Sequence, residues 1–156
     1  MIRDQLEDLD AGRPVEGAPG TRVVARDGEL VRPRPSARVR AEEIADLTGV
    51  SLAEIEEISA AGLIGADSRG RYPGRAVEIV QRAAALARFG ISPRHLRTVR
   101  TAAERHADTI DQVVAPIRAQ KSGAGRERAG ARARELGETY ALLHAELLRA
   151  ALDDLD

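Results

Sequence analysis

Between Val39 and Val80 the chain reads VRAEEIADLTGVSLAEIEEISAAGLIGADSRGRYPGRAVEIV, and this stretch restricts the fold more than any other. Ile44 and Leu47 repeat at helical spacing up to Thr48-Gly49, and Leu52, Ile55 and Ile58 resume the repeat up to Gly62. Val77, Val80, Ala84 and Ala87 carry it again until Gly90. Apolar residues at this period mark helices, and each glycine stands where a helix must stop. Gly49 supplies a turn in which a side chain at positive φ would clash. Gly62 lies just past a helix C-terminus, where glycine is favoured. Leu63 and Ile64 complete the inward face, and Ser68 to Gly74 forms a short basic loop before the third helix. The pattern predicts a helix-turn-helix followed by a wing, a scaffold commonly used to read DNA.

The charges contradict that use. The second helix, where base-reading side chains would sit, carries Glu54, Glu56 and Glu57. Carboxylates facing phosphates are repelled, because DNA binding draws most of its free energy from cations replacing counterions. Residues 40–64 hold Glu42, Glu43, Asp46 and those three glutamates against Arg40 alone. Basic residues gather later: Arg69, Arg71 and Arg75 near the loop, then Arg94, Arg97 and Arg100 at intervals of three. Such a row would suit phosphate or carboxylate. Three readings stay open: two solvated surfaces, a partner surface steered by the charge asymmetry, or arginines gripping DNA or an anionic effector.

Two further apolar seams follow. Ser92 and Pro93 signal a helix start, after which Leu96, Val99, Ala103, His106, Ile110, Val113 and Ile117 alternate spacings of three and four. Pro116 should bend or end that helix by removing the bond to the Gln112 carbonyl. Beyond the loop at 121–125 the same spacing returns in Ala129, Ala133, Leu136, Tyr140, Leu143, Leu147 and Ala150. Each seam lasts about three heptads, the lower limit for a coiled coil. The two helices either satisfy each other within one chain or share their seams between two chains as a homodimer.

Composition excludes several classes. The chain of 156 residues has a net charge of −1, so nothing draws it generally to nucleic acid or membrane. Without cysteine there is neither a disulfide framework nor a thiolate metal site. No apolar run approaches a membrane span and the N-terminus is acidic instead of signal-like, so a cytoplasmic location is expected. His95 and His106 would lie roughly 16 Å apart on one helix, too far to share a metal. Ser51, Ser68 and Ser92 have turn or cap contexts and no local His-acid partner. The pairs Glu42-Glu43 and Glu56-Glu57 diverge by about 100° on a helix instead of converging on a substrate. No cofactor and no enzymatic activity are expected. Only Phe89, Tyr72 and Tyr140 are aromatic, so the core must come from Leu, Ile, Val and Ala.

From Val39 to His106, about 68 of the 156 residues, the chain resembles the MerR family of bacterial transcription regulators. EIADLTGVS at 43–51 is similar to the family's first helix and turn, and Gly62-Leu63-Ile64 to the close of its second helix. Arg71-Tyr72 resembles the wing, and FGISPRHLR at 89–97 the start of the next helix. The family usually places arginines and tyrosines in the second helix for backbone contacts. Here the corresponding positions are Ala53, Glu56, Glu57 and Ile58, so none of those roles carries over. The resemblance implies a degenerate second copy of the MerR module, as in actinobacterial regulators of cell-division genes (FtsR-like). Relatives that bind small hydrophobic effectors next to their long helix also imply an apolar pocket between the wing, the third helix and the seam helix. The small face Ala83, Ala84 and Ala87 would leave room for a ligand there, although close helix approach is the default reading of that face.

The expected fold is all-α: a degenerate MerR-like winged helix-turn-helix, then long helices forming a helical hairpin, after a disordered linker. Residues 1–11 (Ile2, Leu6 and Leu9 at helical spacing) would end a helix belonging to a DNA-binding head outside this chain. Residues 12–37 would be a tether, with a weak hairpin around Asp27-Gly28 as the alternative. Residues 38–119 would form the MerR-like helical domain, and 126–152 a C-terminal helix packing on it or on a dimer partner. The expected function is the regulatory and dimerising C-terminal domain of a transcription regulator. Leu96, Val99, Ile110, Val113, Leu136, Tyr140, Leu143 and Leu147 would form the self-association surface. DNA would be met through the absent head, and a small-molecule effector or protein partner is an additional candidate. The alternatives are a DNA-binding module using the wing arginines and an effector-sensing domain.

Overall fold

The computed structural model describes residues 32–120 and 122–155. The helix expected at 1–11, the hairpin around Asp27-Gly28 and most of the tether at 12–37 lie outside the described residues. The elements in order are β1 (Arg38–Val39), α1 (Ala41–Thr48), α2 (Leu52–Ala60), β2 (Tyr72–Pro73), α3 (Ala76–Ala87), α4 (Arg97–Arg118) and α5 (Gly123–Asp153). Helix dominates, in keeping with the all-α class. The chain divides between Leu96 and Arg97 into two compact units. Helix α4 therefore belongs with α5 and not with the helical domain expected over 38–119.

In the first unit, α1 begins where the Glu43 carboxylate accepts from the Arg40 N–H at 3.3 Å. It ends at Gly49, whose φ of +71° suits a residue without Cβ and whose N–H donates to the Ala45 carbonyl at 2.8 Å. Thr48 stiffens the turn: its hydroxyl donates to the Ile44 carbonyl at 2.7 Å and accepts from the Val50 N–H at 3.2 Å. Helix α2 starts on a reciprocal capping box. The Ser51 hydroxyl accepts from the Glu54 N–H at 3.3 Å, and the Glu54 carboxylate accepts from the Ser51 N–H at 3.0 Å.

Ile44, Ile55 and Ile58 from α1 and α2 meet Ala76, Val77, Val80, Ala83 and Ala84 of α3, with Val39, Val50, Leu63 and Ile64 around them. Each of the largest of these side chains is almost fully buried, and each withdraws apolar area worth about 1.5–3 kcal/mol from water. The alanines Ala83 and Ala84 are part of this core, so that face packs helix against helix.

The loop after α2 returns to pair β2 antiparallel with β1, Val39 opposite Tyr72 and Arg38 opposite Pro73. The Tyr72 hydroxyl donates to Ser59 Oγ at 3.4 Å, a long contact linking the ladder to α2. Residues 32–37, expected to belong to the tether, are instead held against this unit. The Ala37 N–H donates to the Arg34 carbonyl at 2.9 Å, and Gly74 N–H donates to Ala37 at 2.8 Å. Arg32 forms an ion pair with Glu78. Gly74 is buried so close to the Arg34 carbonyl oxygen that a Cβ there would collide with it.

Ser92 and Pro93 do not begin a helix directly. Bonds from His95 to Ser92 and from Leu96 to Pro93 close tight four-residue turns, and α4 starts at Arg97. The reason is tertiary: Leu96 packs on the first unit's core. In the second unit, α4 and α5 form a helical hairpin. Pro116 lies in the last turn of α4, which ends two residues later. The Ser122 hydroxyl caps α5 by accepting from the Gly125 N–H at 3.0 Å. Gly125 is buried against the Gln120 and Ile117 carbonyls, close enough to leave no room for Cβ.

Replacing Gly74 with alanine should cost about 1–3 kcal/mol, the usual scale of overpacking. Gly65, with open space around its Cβ direction, provides the control. Thermal melts should show G74A well below wild type and G65A near it; equal melting temperatures for G74A and wild type would contradict the close approach.

Candidate functional site

The loop between α2 and β2 is organised by one carboxylate. Asp67 Oδ1 accepts from the Arg69 N–H at 2.9 Å and the Arg71 N–H at 3.0 Å, while Oδ2 pairs with the Arg71 guanidinium at 3.3 Å. The backbone closes on itself: Asp67 N–H to Arg71 at 2.8 Å and Gly70 N–H to Asp67 at 2.9 Å. The Arg71 N–H bond chiefly holds the Asp67 carboxyl below its ordinary range. Partial desolvation opposes this, while the Arg69 N–H and the charges of Arg71 and Arg38 add to it. Arg71 is thus half-buried and committed to the loop's own structure, whereas Arg69 and Arg75 are exposed. Sequence reasoning missed Asp67. An Asp followed two residues on by Arg-Gly is a signal for a side-chain-closed turn.

Helix α2 offers a different surface. Glu54, Glu56 and Glu57 are all exposed, together with Leu52 and Ala53. Glu54 is engaged by the Ser51 hydroxyl and N–H, which lower its pKa, helped by the Arg88 charge and opposed by partial desolvation. Among the described residues, neither Glu56 nor Glu57 has an ion pair. The end of α3 is apolar and solvent-facing: Phe89 is 87% exposed, and Leu86 and Ile91 are exposed beside it in sequence.

The other arginines predicted to bind anions fall on separate elements. Arg94 lies in the turn before α4, and Arg97 opens that helix. Arg100 pairs with Glu104 at 2.6 Å. The even row inferred from their spacing is broken, because Arg94 is not helical.

The predicted self-association residues divide into two sets. His106 and Tyr140 stack across the hairpin, with ring centroids 4.3 Å apart and planes inclined by 14°. Ile110, Ile117, Leu136 and Tyr140 are half-buried in the second unit, and Leu96 is half-buried on the first unit's core. Val99, Val113, Leu143 and Leu147 are exposed, Leu147 by 61%. Val114, outside the predicted seam, is the buried residue of α4, while its neighbour Val113 is exposed. Among the described residues no group of three His, Asp or Glu side chains is placed to hold a metal, and no helix is long and apolar enough to cross a membrane.

A family model for the Rv1828-like C-terminal domain matches residues 37–156. The chain belongs to the Rv1828-like C-terminal domain family. It is 37% identical over 119 residues to a protein of Mycobacterium tuberculosis described as the uncharacterized HTH-type transcriptional regulator Rv1828. The same identity and length relate it to Mb1859 of Mycobacterium bovis, described in the same words. Each match covers 76% of this chain and 48% of the relative, so the chain spans about half the length of the curated relatives it matches. The family match starts at residue 37, where the chain enters β1, and it includes both units.

Because the Asp67 carboxyl titrates below its unfolded value, its contribution to the loop is fully present above that value. It is lost as pH falls through the folded pKa. Amide NMR shifts of Arg69 and Arg71 should therefore move together with a midpoint below the usual aspartate range, near 3.9. In D67A the two amides should lose that shared titration and exchange faster at neutral pH. Unchanged exchange in D67A would show that the loop closes without the carboxylate.

Proposed function

We propose that this chain is the regulatory and dimerising C-terminal domain of a MerR-type bacterial transcription regulator whose DNA-binding head lies outside it. The observation that carries this reading is the exposed acidic surface of α2, the helix that would enter a major groove in a DNA-reading domain. Glu54, Glu56 and Glu57 repel phosphate there, and Arg71, the central loop cation, is already paired with Asp67. Membership in a C-terminal domain family whose relatives are described as HTH-type transcriptional regulators supports the placement in such a protein. The resemblance to regulators of cell-division genes extends the proposal to that class of target.

The second unit supports the dimerising role. Near the loop Val114, Gly125 and Ala129 are buried, whereas the seam residues Val99 and Val113 on α4 and Leu143 and Leu147 on α5 are exposed. A second copy presenting the same face would bury these leucines, and an isologous contact would hold two reading heads at a fixed separation matching a palindromic operator. Control of transcription then acts through geometry instead of chemistry on a substrate.

Sedimentation of the isolated chain at tens of micromolar should give a dimer. L143D/L147D should sediment as a monomer with unchanged circular dichroism, since both side chains are already exposed in the single chain. A monomeric wild type would remove the dimerising role. Anisotropy with labelled duplex at low salt should show no tight binding; strong, salt-sensitive binding would make the chain a DNA reader in its own right.

A further inference from the structure

The first unit contains a cleft of about 360 Å³ between α3 and the turn joining α1 to α2. Gln81 and Ala85 on α3 and Arg88 just past its end stand four and three residues apart, so they share one face, and Arg82 adjoins them. Thr48 and Val50 form the opposite wall, and Arg32 completes the lining. Three guanidinium groups and one amide thus border a concave space, and among the described residues no carboxylate lines it.

The donors are prepared in different ways. Arg32 is anchored by Glu78, and its second nitrogen donates to the Gln81 side-chain oxygen at 3.4 Å. Arg88 sits near enough to Glu54 to influence its ionisation, but Glu54 is taken up by Ser51 at 2.7 Å and 3.0 Å. Among the described residues, neither Arg82 nor Arg88 has a hydrogen-bonded carboxylate. The Thr48 hydroxyl donates to the Ile44 carbonyl and accepts from the Val50 N–H, so its one donor is already committed and the anion's hydrogen bonds must come from the guanidinium groups. Val50 and Ala85 give the cleft a small apolar floor.

We infer that this cleft binds a small phosphorylated molecule, its phosphate oxygens held by Arg82 and Arg88 with Arg32 at the rim. A guanidinium fork matches two phosphate oxygens at once, and two free forks around one space suit a phosphate better than a single carboxylate. The volume is at the lower end for ligand pockets, which fits a compact anion with a short carbon portion. Glu78 and Glu54 reduce the net positive charge, so binding depends on fork geometry more than on bulk attraction. Occupancy ties Arg32, in the segment leading into β1, to α3. The site is separate from Arg69, Arg71 and Arg75 in sequence and element, and it does not depend on the oligomeric state proposed above.

Inorganic pyrophosphate serves as the probe, with the whole chain at constant ionic strength. At a concentration ten times its dissociation constant it should raise the melting temperature by about 4 °C. The double substitution R82Q/R88Q should melt like wild type without ligand, because both side chains are exposed, yet weaken pyrophosphate binding by at least about tenfold, the worth of one charge-assisted contact. A duplex oligonucleotide forms the second arm. Duplex binding that is lost in the double variant, without any pyrophosphate response, would assign the cleft to backbone phosphate and overturn the proposal. Equal pyrophosphate shifts in wild type and variant, or no shift in either, would also overturn it.

Discussion

The first unit rests on one packing arrangement: branched aliphatic side chains of α1 and α2 set against the alanine-bearing face of α3. Ile44, Ile55 and Ile58 share a core with Ala76, Ala83 and Ala84, and only Tyr72 among the aromatics packs against it. Small residues bury little area each, so stability must come from close approach and dense contact. This explains why backbone geometry is so tightly specified nearby. Gly49 must turn, Gly74 must let the Arg34 carbonyl pass, and the two-residue ladder needs Val39 buried beneath it. Among the described residues every fully buried residue of this core is apolar, and charged side chains reach inward only in part, as the Glu43 carboxylate and Arg71 Nε do.

That separation frees the surface charges to differ by face. Exchanging Glu56 or Glu57 for a neutral residue would leave the packing of α2 intact, since only Ile55 and Ile58 of that helix are buried. The acidic character of α2 and the basic character of the α3 cleft therefore say something about partners that the architecture does not. Electrostatic complementarity governs which surfaces meet and how fast they do so more than how tightly they hold. A helix-turn-helix scaffold kept for its compactness can in this way present the opposite charge from that which DNA requires.

The sequence made the helix-turn-helix legible because its signals are local: Gly49 and Gly62 stop helices, and the apolar positions repeat at the helical period. It misplaced features decided by distant contacts. Ser92 and Pro93 are sound start signals, but Leu96 docks on the core and the helix begins only at Arg97. Val113 and Val114 are both apolar, and a strict heptad phase drifts against the 3.6-residue turn, so spacing alone does not tell that Val114 is the one buried within the hairpin. Arg32 looked like part of a tether because its partners Glu78 and Gln81 lie 46 and 49 residues away. The acidic face was readable from composition. The cleft was not, because its walls come from three separated segments.

The long helices reveal why an apolar seam can stay open without the unit collapsing. Helix α5 has 31 residues, about 46 Å of helix. It is rich in Ala, Leu, Arg and Glu, the residues that favour helix in their own right. Ion pairs within single turns, Arg132 with Glu135 and Arg149 with Glu146, reinforce it on the solvent side, as Arg100 with Glu104 does for α4. Such helices do not need their whole apolar face covered in order to persist. Near the loop, Val114, Gly125 and Ala129 lock the hairpin, so its register is fixed there. Beyond that, the same three-four repeat continues into Leu143 and Leu147, where the side chains face water. The contacts near the loop thus close the hairpin within the chain, while the outer part of the repeat leaves its side chains in water.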